Sequence, residues 1–246
     1  TPYDPDTRRG LLISGFTGIP SLFTSYNYAY YEKLMDACGF SKIYDTYSLQ
    51  ADISAETTEK VEKIARFIKR RYPVTLEPLN LKKLEKEIHD IHHILNIATT
   101  EENYQDAPSI EMIARVAKKM RLFLDRDMII IAREEETREP IGFCLVLPDF
   151  NQVFHKTKGR VSLLKFLYYK NKITRARGIM QYVIPKYQST GLIGAMFHEV
   201  YKNFKEKGIT EFEAGTILEH NIKSLSVFDK FGGKIIKTYR IYGKDV

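Results

Sequence analysis

One strand-to-helix junction constrains the fold of this chain more than any other feature. The run QYVIPKYQSTGLIGAMFHEVYKNF, residues 181–204, is an apolar strand stopped by Pro185, a small polar turn containing Gly191, and an amphipathic helix. The apolar stripe of the helix comprises Leu192, Ile193, Met196, Phe197, Val200, Tyr201 and Phe204. Gly208 then stands where a helix C-cap is favoured, and the run ITEFEAGTI predicts another strand. A helix that connects two strands predicts an α/β layer.

The chain from Tyr72 onward repeats this alternation of strands and helices. YPVTLEPLN predicts a strand, LKKLEKEIHDIHHILNIA and DAPSIEMIARVAKKMRLFL predict two helices, and DMIIIAREEETREPIGFCLVLPD predicts a hairpin. A helical pattern over 161–169, a short helix in NIKSLSVFDKFG and a strand in KIIKTYRIYG complete the order β-α-α-β-β-(helix)-β-α-β-α-β. The predicted fold class is α/β, with a mixed central sheet flanked by helices.

The composition is that of a soluble globular protein with one large or two small domains. The chain has 246 residues, of which 43% are hydrophobic and 28% charged. No stretch approaches the ~20 apolar residues of a membrane span, and no signal peptide heads the chain, which predicts a cytoplasmic protein. Cys38 and Cys144 lie in apolar runs and are predicted to be buried thiols of a reducing compartment.

The net charge of +7 is concentrated in one segment. Residues 155–180 contain eight lysines and arginines and no acidic residue. Such a basic, aromatic segment could bind nucleic acid, an anionic membrane surface or an anionic cofactor, or it could be a solvated helix with a cationic rim. No RNA-binding signature accompanies it, so no specific nucleic acid is expected as a partner.

Two parts of the chain resemble each other. NYAYYEKLMDACGFSKIYDTY from Asn27 and NIKSLSVFDKFGGKIIKTY from Asn221 each contain a helix that ends in glycine, at Gly39 and Gly232, and a strand that ends in Thr-Tyr. The interpretation is a partial N-terminal second copy of one fold. Residues 1–50 would be the C-terminal part of a first repeat whose beginning is missing, 51–71 a helical linker, and 72–246 the main domain.

The motifs of this main domain resemble those of the GNAT superfamily of acyl-CoA-dependent N-acetyltransferases. The family signature Gln/Arg-x-x-Gly-x-Gly/Ala follows a strand that ends in Val-x-Pro, and here VIP at 183–185 precedes QSTG at 188–191. The later family motif, an Asn that opens a short helix ending in aromatic-Gly, is matched by Asn221 and Phe231-Gly232. With the repetition described above, the chain is similar to tandem-GNAT proteins.

The resemblance implies a coenzyme site for acetyl-CoA. Backbone N–H groups at a helix start suit a pyrophosphate, and the strand before the turn would pair with the pantetheine arm and hold the thioester. The cofactor-binding residues so implied are Tyr182, Val183, Ile184, Gln188, Ser189, Thr190, Gly191, Leu192, Ile193, Gly194 and Asn221. An ordinary strand-to-helix turn explains the same residues without a ligand.

Two positions depart from the family pattern. The second small residue of the signature is Ile193 here, with Gly194 one place later, which suggests an altered pyrophosphate turn. Many family members carry a Tyr in the late helix that protonates the leaving thiolate, and the matching residue is Phe228. Both departures bear on catalysis more than on the fold.

Three residues are candidates for acid–base catalysis. Glu213 lies in a strand beside small residues and could be the base that deprotonates an amine, or a solvent-facing strand residue. Asp149 could face the acceptor or cap the following segment. Tyr239 could replace the missing proton donor or be a packed aromatic residue. His89, His92 and His93 share a helix but lack further metal ligands, so no metal is predicted.

The sequence therefore predicts an acyltransferase that moves an acetyl group from acetyl-CoA to the amine of a small molecule or peptide by direct attack in a ternary complex. The alternative is a catalytically silent GNAT-like module that binds a membrane surface or nucleic acid through residues 155–177. A third hypothesis keeps the enzyme but gives it a longer acyl donor or an aminoacyl-tRNA. No membrane span is expected, and a homodimer is one arrangement that the sequence leaves open.

Overall fold

A computed structural model describes residues 10–99, 107–121, 123–160, 162–230 and 232–244. The strands in these ranges are β1 (Leu11–Ser14), β2 (Ser41–Ala51), β3 (Val74–Pro78), β4 (Ile129–Glu134), β5 (Pro140–Pro148), β6 (Arg175–Val183), β7 (Glu211–Leu218) and β8 (Lys234–Gly243). The helices are α1 (Tyr31–Ala37), α2 (Ala55–Arg71), α3 (Leu84–Ala98), α4 (Ile110–Met120), α5 (Asn151–Lys156), α6 (Leu163–Lys170), α7 (Leu192–Glu206) and α8 (Ile222–Lys230). The mixed α/β fold class is confirmed, and the element order from Tyr72 onward is as predicted except for α5, a helix that the sequence analysis did not predict.

The residue contacts divide the chain into two compact units. Unit 1 comprises Thr1–Ile53, Pro148–Arg177 and Gly208–Val246, and unit 2 comprises Ser54–Leu147 and Gly178–Lys207. The statements about each unit apply to its described residues. Strand β6 begins in unit 1 and continues in unit 2.

Unit 1 is built on the strand order β1-β8-β2-β7. Strand β8 is antiparallel to both β1 and β2, and Tyr239 lies opposite Leu12 on one side and Thr46 on the other. Leu12, Tyr239 and Phe212 are almost completely buried. Burial of such side chains contributes about 1.5–3 kcal/mol each, so this strand layer is the core of unit 1.

The two segments that resemble each other in sequence also have the same local structure in unit 1. Gly39 after α1 and Gly232 after α8 both adopt positive φ angles, +74° and +70°, and a strand follows each. Strands β2 and β8 then pair with each other. That residues 1–50 are part of a first repeat stays a prediction.

Unit 2 combines the strand order β6-β5-β4-β3 with helices that pack against it. Strand β4 carries a continuous buried apolar run, Ile129 to Ala132, as a central strand requires. Helix α7 buries the predicted residues Leu192, Met196, Phe197, Val200 and Phe204, whereas Ile193 and Tyr201 are half-buried. Gly208, with φ +68°, follows its C-cap as predicted.

Three details differ from the sequence predictions. The helix predicted within 51–71 is α2, but it is not a linker, because it packs against α7 as a core helix of unit 2. Cys144 is buried as predicted, whereas Cys38 is exposed because it caps α1, a helix without buried residues. The predicted helix over 161–169 begins at Leu163, and Val161 lies outside the described residues.

Candidate functional site

The end of β6 places its backbone N–H groups on alternating sides. The N–H of Ile184 donates to the carbonyl of Ile141 at 3.0 Å and is therefore not free for a ligand, contrary to the expectation for Ile184. Because N–H directions alternate along a strand, the N–H of Tyr182 points to the same side and that of Val183 points away from β5. Of the three residues assigned to the pantetheine arm, Val183 has the orientation that suits this role best.

A short 3₁₀ turn, Pro185–Tyr187, connects β6 to residues Gln188–Gly194, which we call the coenzyme turn after the role that the sequence analysis predicts for it. Tyr187 is buried, and its hydroxyl donates to Oε1 of Glu134 at 2.7 Å. The same oxygen accepts from Lys186 Nζ at 2.8 Å. The hydrogen bonds from Lys186 and Tyr187 lower the pKa of Glu134 to about 2. The turn is thus anchored to β4 through an ionised carboxylate that the sequence analysis did not identify.

Most of the backbone N–H groups in the coenzyme turn have no acceptor within the described ranges of the chain. Gln188 N–H donates to the carbonyl of Pro185 at 3.1 Å, and Leu192 N–H donates to the Thr190 hydroxyl at 3.3 Å. Within the described residues no acceptor is found for the N–H groups of Ser189, Thr190, Gly191, Ile193 and Gly194. They stand at the N-terminus of α7, a helix of 15 residues. Five donors at a helix N-terminus are an arrangement suited to a phosphate group.

The glycines of this turn also serve the packing of unit 2. Gly191 has φ +98°, a left-handed conformation in which other residues are strained. A Cβ atom on Gly191 would lie 3.1 Å from Cγ2 of Ile64 in α2, and one on Gly194 would lie 3.4 Å from the same atom. Close approach of α2 and α7 therefore accounts for both glycines. Consequently, a bulky substitution at Gly191 would change the stability of the fold as well as any ligand site.

Glu213 lies in a saturated buried network of unit 1. Its Oε1 accepts from Arg177 Nη1 at 2.7 Å and from the Ser48 hydroxyl at 2.6 Å, and its Oε2 accepts from Lys237 Nζ at 2.9 Å and from the Ser21 hydroxyl. Burial alone would raise the pKa of Glu213, but the two cations and the two hydroxyls outweigh it and hold that pKa at about 2. A general base requires a pKa near the working pH. These contacts contradict the predicted role of Glu213 as a base, and also the alternative of a solvent-facing residue.

Asp149 acts as a cap and an anchor in unit 1. Its side chain is fully buried, and Oδ1 accepts from the N–H groups of Asn151 at 3.1 Å and Leu22 at 3.0 Å. Arg175 Nε donates to Oδ2 at 2.6 Å. Burial raises the pKa of Asp149, while Arg175 opposes this shift. All these partners are protein groups, so the structure favours the capping alternative over contact with an acceptor.

Tyr239 has a different environment from the other two candidates. Burial raises the pKa of its phenol to about 12, so that the group is neutral at physiological pH. Its side chain is almost completely buried, beside Lys237 and parts of the loop from Gly15 to Tyr26. The role of Tyr239 as a proton donor stays a prediction.

The motif that begins at Asn221 starts with a helix cap in the structure. The Asn221 side chain accepts from the N–H of Ser224 at 3.0 Å and so caps the start of α8, while its implied contact with the cofactor stays a prediction. Phe228 is buried and has no hydroxyl to donate. Phe231, the aromatic residue of the motif, lies outside the described residues.

Solved structures with the same arrangement of elements establish the fold. A GCN5-related N-acetyltransferase from Sphaerobacter thermophilus superimposes with a TM-score of 0.55 over 86% of this chain and 55% of its own, at 12% identity. A tandem GNAT protein from the clavulanic acid biosynthesis pathway gives a TM-score of 0.56 over 96% and 64%, also at 12% identity. The chain has the GNAT fold.

Two curated proteins are similar to this chain in sequence. One is named bacterial ceramide synthase, from Caulobacter vibrioides, and is 26% identical over 249 residues. The other is Protein YghO from Escherichia coli K12, which is 24% identical over 250 residues. Each alignment covers 96% of this chain, which spans only 63% and 62% of the respective relatives. No protein-family model matches the chain.

Proposed function

We propose that the chain is an acyltransferase that takes its acyl group from an acyl-CoA and forms an amide with an acceptor amine. The observation that carries the proposal is the set of five backbone N–H groups between Ser189 and Gly194, at the N-terminus of α7, that have no partner among the described residues. Backbone donors of this kind bind pyrophosphate oxygens without the cost of moving a charged side chain. The GNAT fold, shared with known N-acetyltransferases, makes coenzyme A the pyrophosphate compound to test first.

The transfer would form a C–N bond and break a C–S bond. The amine nitrogen attacks the thioester carbonyl, the nitrogen loses a proton, and the departing thiolate of coenzyme A gains one. Val183 N–H, which points away from β5, is our proposed donor to the oxygen on which negative charge develops. Losing one donor of this type typically costs about 2.7–4 kcal/mol of transition-state stabilisation.

The identity of the acyl group is part of the proposal. The sequence resemblance favours acetyl-CoA, whereas the similarity to a protein named ceramide synthase favours a longer acyl group, because a ceramide is the amide of a fatty acid and a long-chain amino alcohol. We therefore propose fatty acyl-CoA donors and amino-alcohol lipids as the first pair to assay, with acetyl-CoA and small or peptide amines as the second.

Tyr239 is the remaining candidate for proton transfer, since Glu213 and Asp149 are committed to ion pairs. If it acts as an acid, Tyr239→Phe should lower kcat while the melting temperature changes little. A packing role instead predicts an unchanged kcat, because the phenylalanine ring fills the same buried space.

The proposal is tested by ligand stabilisation and product analysis. Coenzyme A, acetyl-CoA, palmitoyl-CoA and ATP are compared for their effect on the melting temperature of the full chain. A native-state ligand at a hundredfold excess over Kd stabilises by about 2.7 kcal/mol. A rise with coenzyme A species but not ATP, with thiol release and an amide product detected by mass spectrometry, supports the proposal. Absence of any rise in the folded protein would favour the catalytically silent alternative.

A further inference from the structure

Helix α6 in unit 1 turns an apolar face toward solvent. The exposed fractions of its apolar side chains are 72% for Leu163, 81% for Leu164, 52% for Leu167 and 59% for Tyr168. At 3.6 residues per turn these four positions fall within one arc of about 140°. A helix in a globular protein normally directs such an arc to the core. On α6 the arc faces outward instead.

The opposite side of α6 is the side that holds the helix in place. The ring of Phe166 stacks on Phe150, which directly precedes α5, with ring centroids 5.7 Å apart. The hydroxyl of Ser162 caps the helix by accepting from the N–H of Lys165 at 3.4 Å. These contacts hold α6 against the rest of unit 1 by its Phe166 side. The leucines are therefore exposed because they lie on the opposite side of a packed helix.

The charges around α6 are unbalanced. Of the eight basic residues between His155 and Met180, Arg175 and Arg177 are ion-paired with Asp149 and Glu213 inside unit 1. The other six have no acidic partner among the described residues, and they are Lys156, Lys158, Arg160, Lys165, Lys170 and Lys172. Lys172 lies 3.9 Å from the ring centroid of Tyr168 and donates to its hydroxyl at 2.6 Å. At 3.6 residues per turn Lys165 and Lys170 fall on the two sides of the exposed apolar arc, which therefore has a cationic border.

We infer that the α6 face, defined as Leu163, Leu164, Leu167 and Tyr168 with these six cations, docks on the surface of an anionic lipid bilayer. Lysines and arginines around leucines and an aromatic residue are the composition of helices that lie in a membrane interface. The leucines would enter the acyl boundary and the cations would attract the lipid phosphates. A nucleic acid would be bound by the cations alone and gives no reason for three exposed leucines. This inference does not depend on acyl transfer.

The test is co-sedimentation of the full chain with vesicles of phosphatidylglycerol or of phosphatidylcholine. We expect binding to the anionic vesicles that weakens as salt is raised. The double variant Leu164→Glu/Leu167→Glu should lower the partition coefficient between water and anionic vesicles roughly tenfold or more. It removes apolar area from the α6 face and adds negative charges that the anionic lipids repel. Lys165→Gln and Lys170→Gln should each lower the partition coefficient roughly fivefold. Leu34→Glu, at an exposed leucine of α1, is the matched control and should bind like the wild type.

Three results would overturn the inference. They are no binding of the folded wild type to phosphatidylglycerol vesicles, equal binding to both vesicle types, and retention of full binding by Leu164→Glu/Leu167→Glu. Circular dichroism confirms that each variant is folded. A different result would assign the cations to a nucleic-acid site instead. In that case a duplex or single-stranded oligonucleotide binds the wild type and the leucine variant equally tightly, and neither protein binds vesicles.

Discussion

The hydroxyl of Tyr187 lies 2.7 Å from Oε1 of Glu134 and joins the segment before α7 to strand β4. Tyr187 stands two positions before Ser189, the first of the residues whose N–H groups have no acceptor among the residues that the structure describes. The contact therefore fixes the approach to the coenzyme turn within unit 2. A preorganised turn binds a ligand with a smaller loss of conformational freedom.

Removal of this hydroxyl should weaken coenzyme binding without destroying the fold. In Tyr187→Phe the ring still fills its buried position, but one hydrogen bond is lost, at about 1 kcal/mol of the free energy of unfolding. We expect the Kd for coenzyme A to rise roughly fivefold, measured by isothermal titration calorimetry. Tyr28→Phe, at an exposed tyrosine, is the control and should leave both quantities unchanged. An unchanged Kd in Tyr187→Phe would show that the hydrogen bond between Tyr187 and Glu134 does not contribute to coenzyme binding.

Acid should destabilise the protein between about pH 4.5 and pH 2. The pKa values of Glu134 and Glu213 are lowered to about 2 in the folded state, from an ordinary value of 4.5. A carboxylate with a depressed pKa contributes stability that is fully present above its unfolded pKa and is lost as pH falls through its folded pKa. Urea unfolding at a series of pH values measures this loss. A free energy of unfolding that stays constant over this range would contradict both shifts.

Glu213→Gln separates a structural role from a catalytic one. The substitution leaves Arg177 and Lys237 buried without their carboxylate, and loss of one partner from such a pair typically costs about 3–5 kcal/mol. We expect a lower melting temperature and a free energy of unfolding that falls less steeply as the pH is lowered in the acid range. Glu56→Gln, an exposed residue of α2, should change neither. If Glu213→Gln kept its stability but lost turnover, the carboxylate would be a base after all.

Local patterns in the sequence were sufficient to predict most elements. The helical stripe of α7 and the glycine turn before it are contiguous, and the structure places both where the periodicity indicated. The position of β2 between β8 and β7 could not be predicted, because strand pairing joins residues far apart in sequence, such as Thr46 with Tyr239. The same reason explains why α2 was mistaken for a linker, since its packing against α7 is a long-range contact.

The backbone geometry of the coenzyme turn was easier to predict from the sequence than the surroundings of the candidate side chains. A glycine turn before a helix implies free N–H groups from local geometry alone, and five of the seven predicted donors in residues 188–194 have no acceptor in the part of the chain that the structure describes. The role of Glu213 depends instead on Ser21, Ser48, Arg177 and Lys237, which come from separate parts of the chain. No single stretch of sequence carries the information that these groups surround one carboxylate.

The central claim is that the coenzyme turn binds a pyrophosphate through its backbone, and one pair of variants at Ser189 tests it most directly. Ser189 is exposed and has φ +59°, a conformation that both Asn and Asp tolerate. Ser189→Asp and Ser189→Asn therefore differ in charge but hardly in shape. Repulsion between the carboxylate introduced by the first variant and a bound phosphate should cost on the order of 1–2 kcal/mol.

The measurement is the Kd for coenzyme A by isothermal titration calorimetry at moderate salt. The account predicts that Ser189→Asp binds roughly tenfold more weakly than Ser189→Asn, whose affinity stays close to that of the wild type, with equal melting temperatures in the absence of ligand. Equal affinities for the two variants, with coenzyme A bound as tightly as by the wild type, would contradict the account and place the pyrophosphate elsewhere.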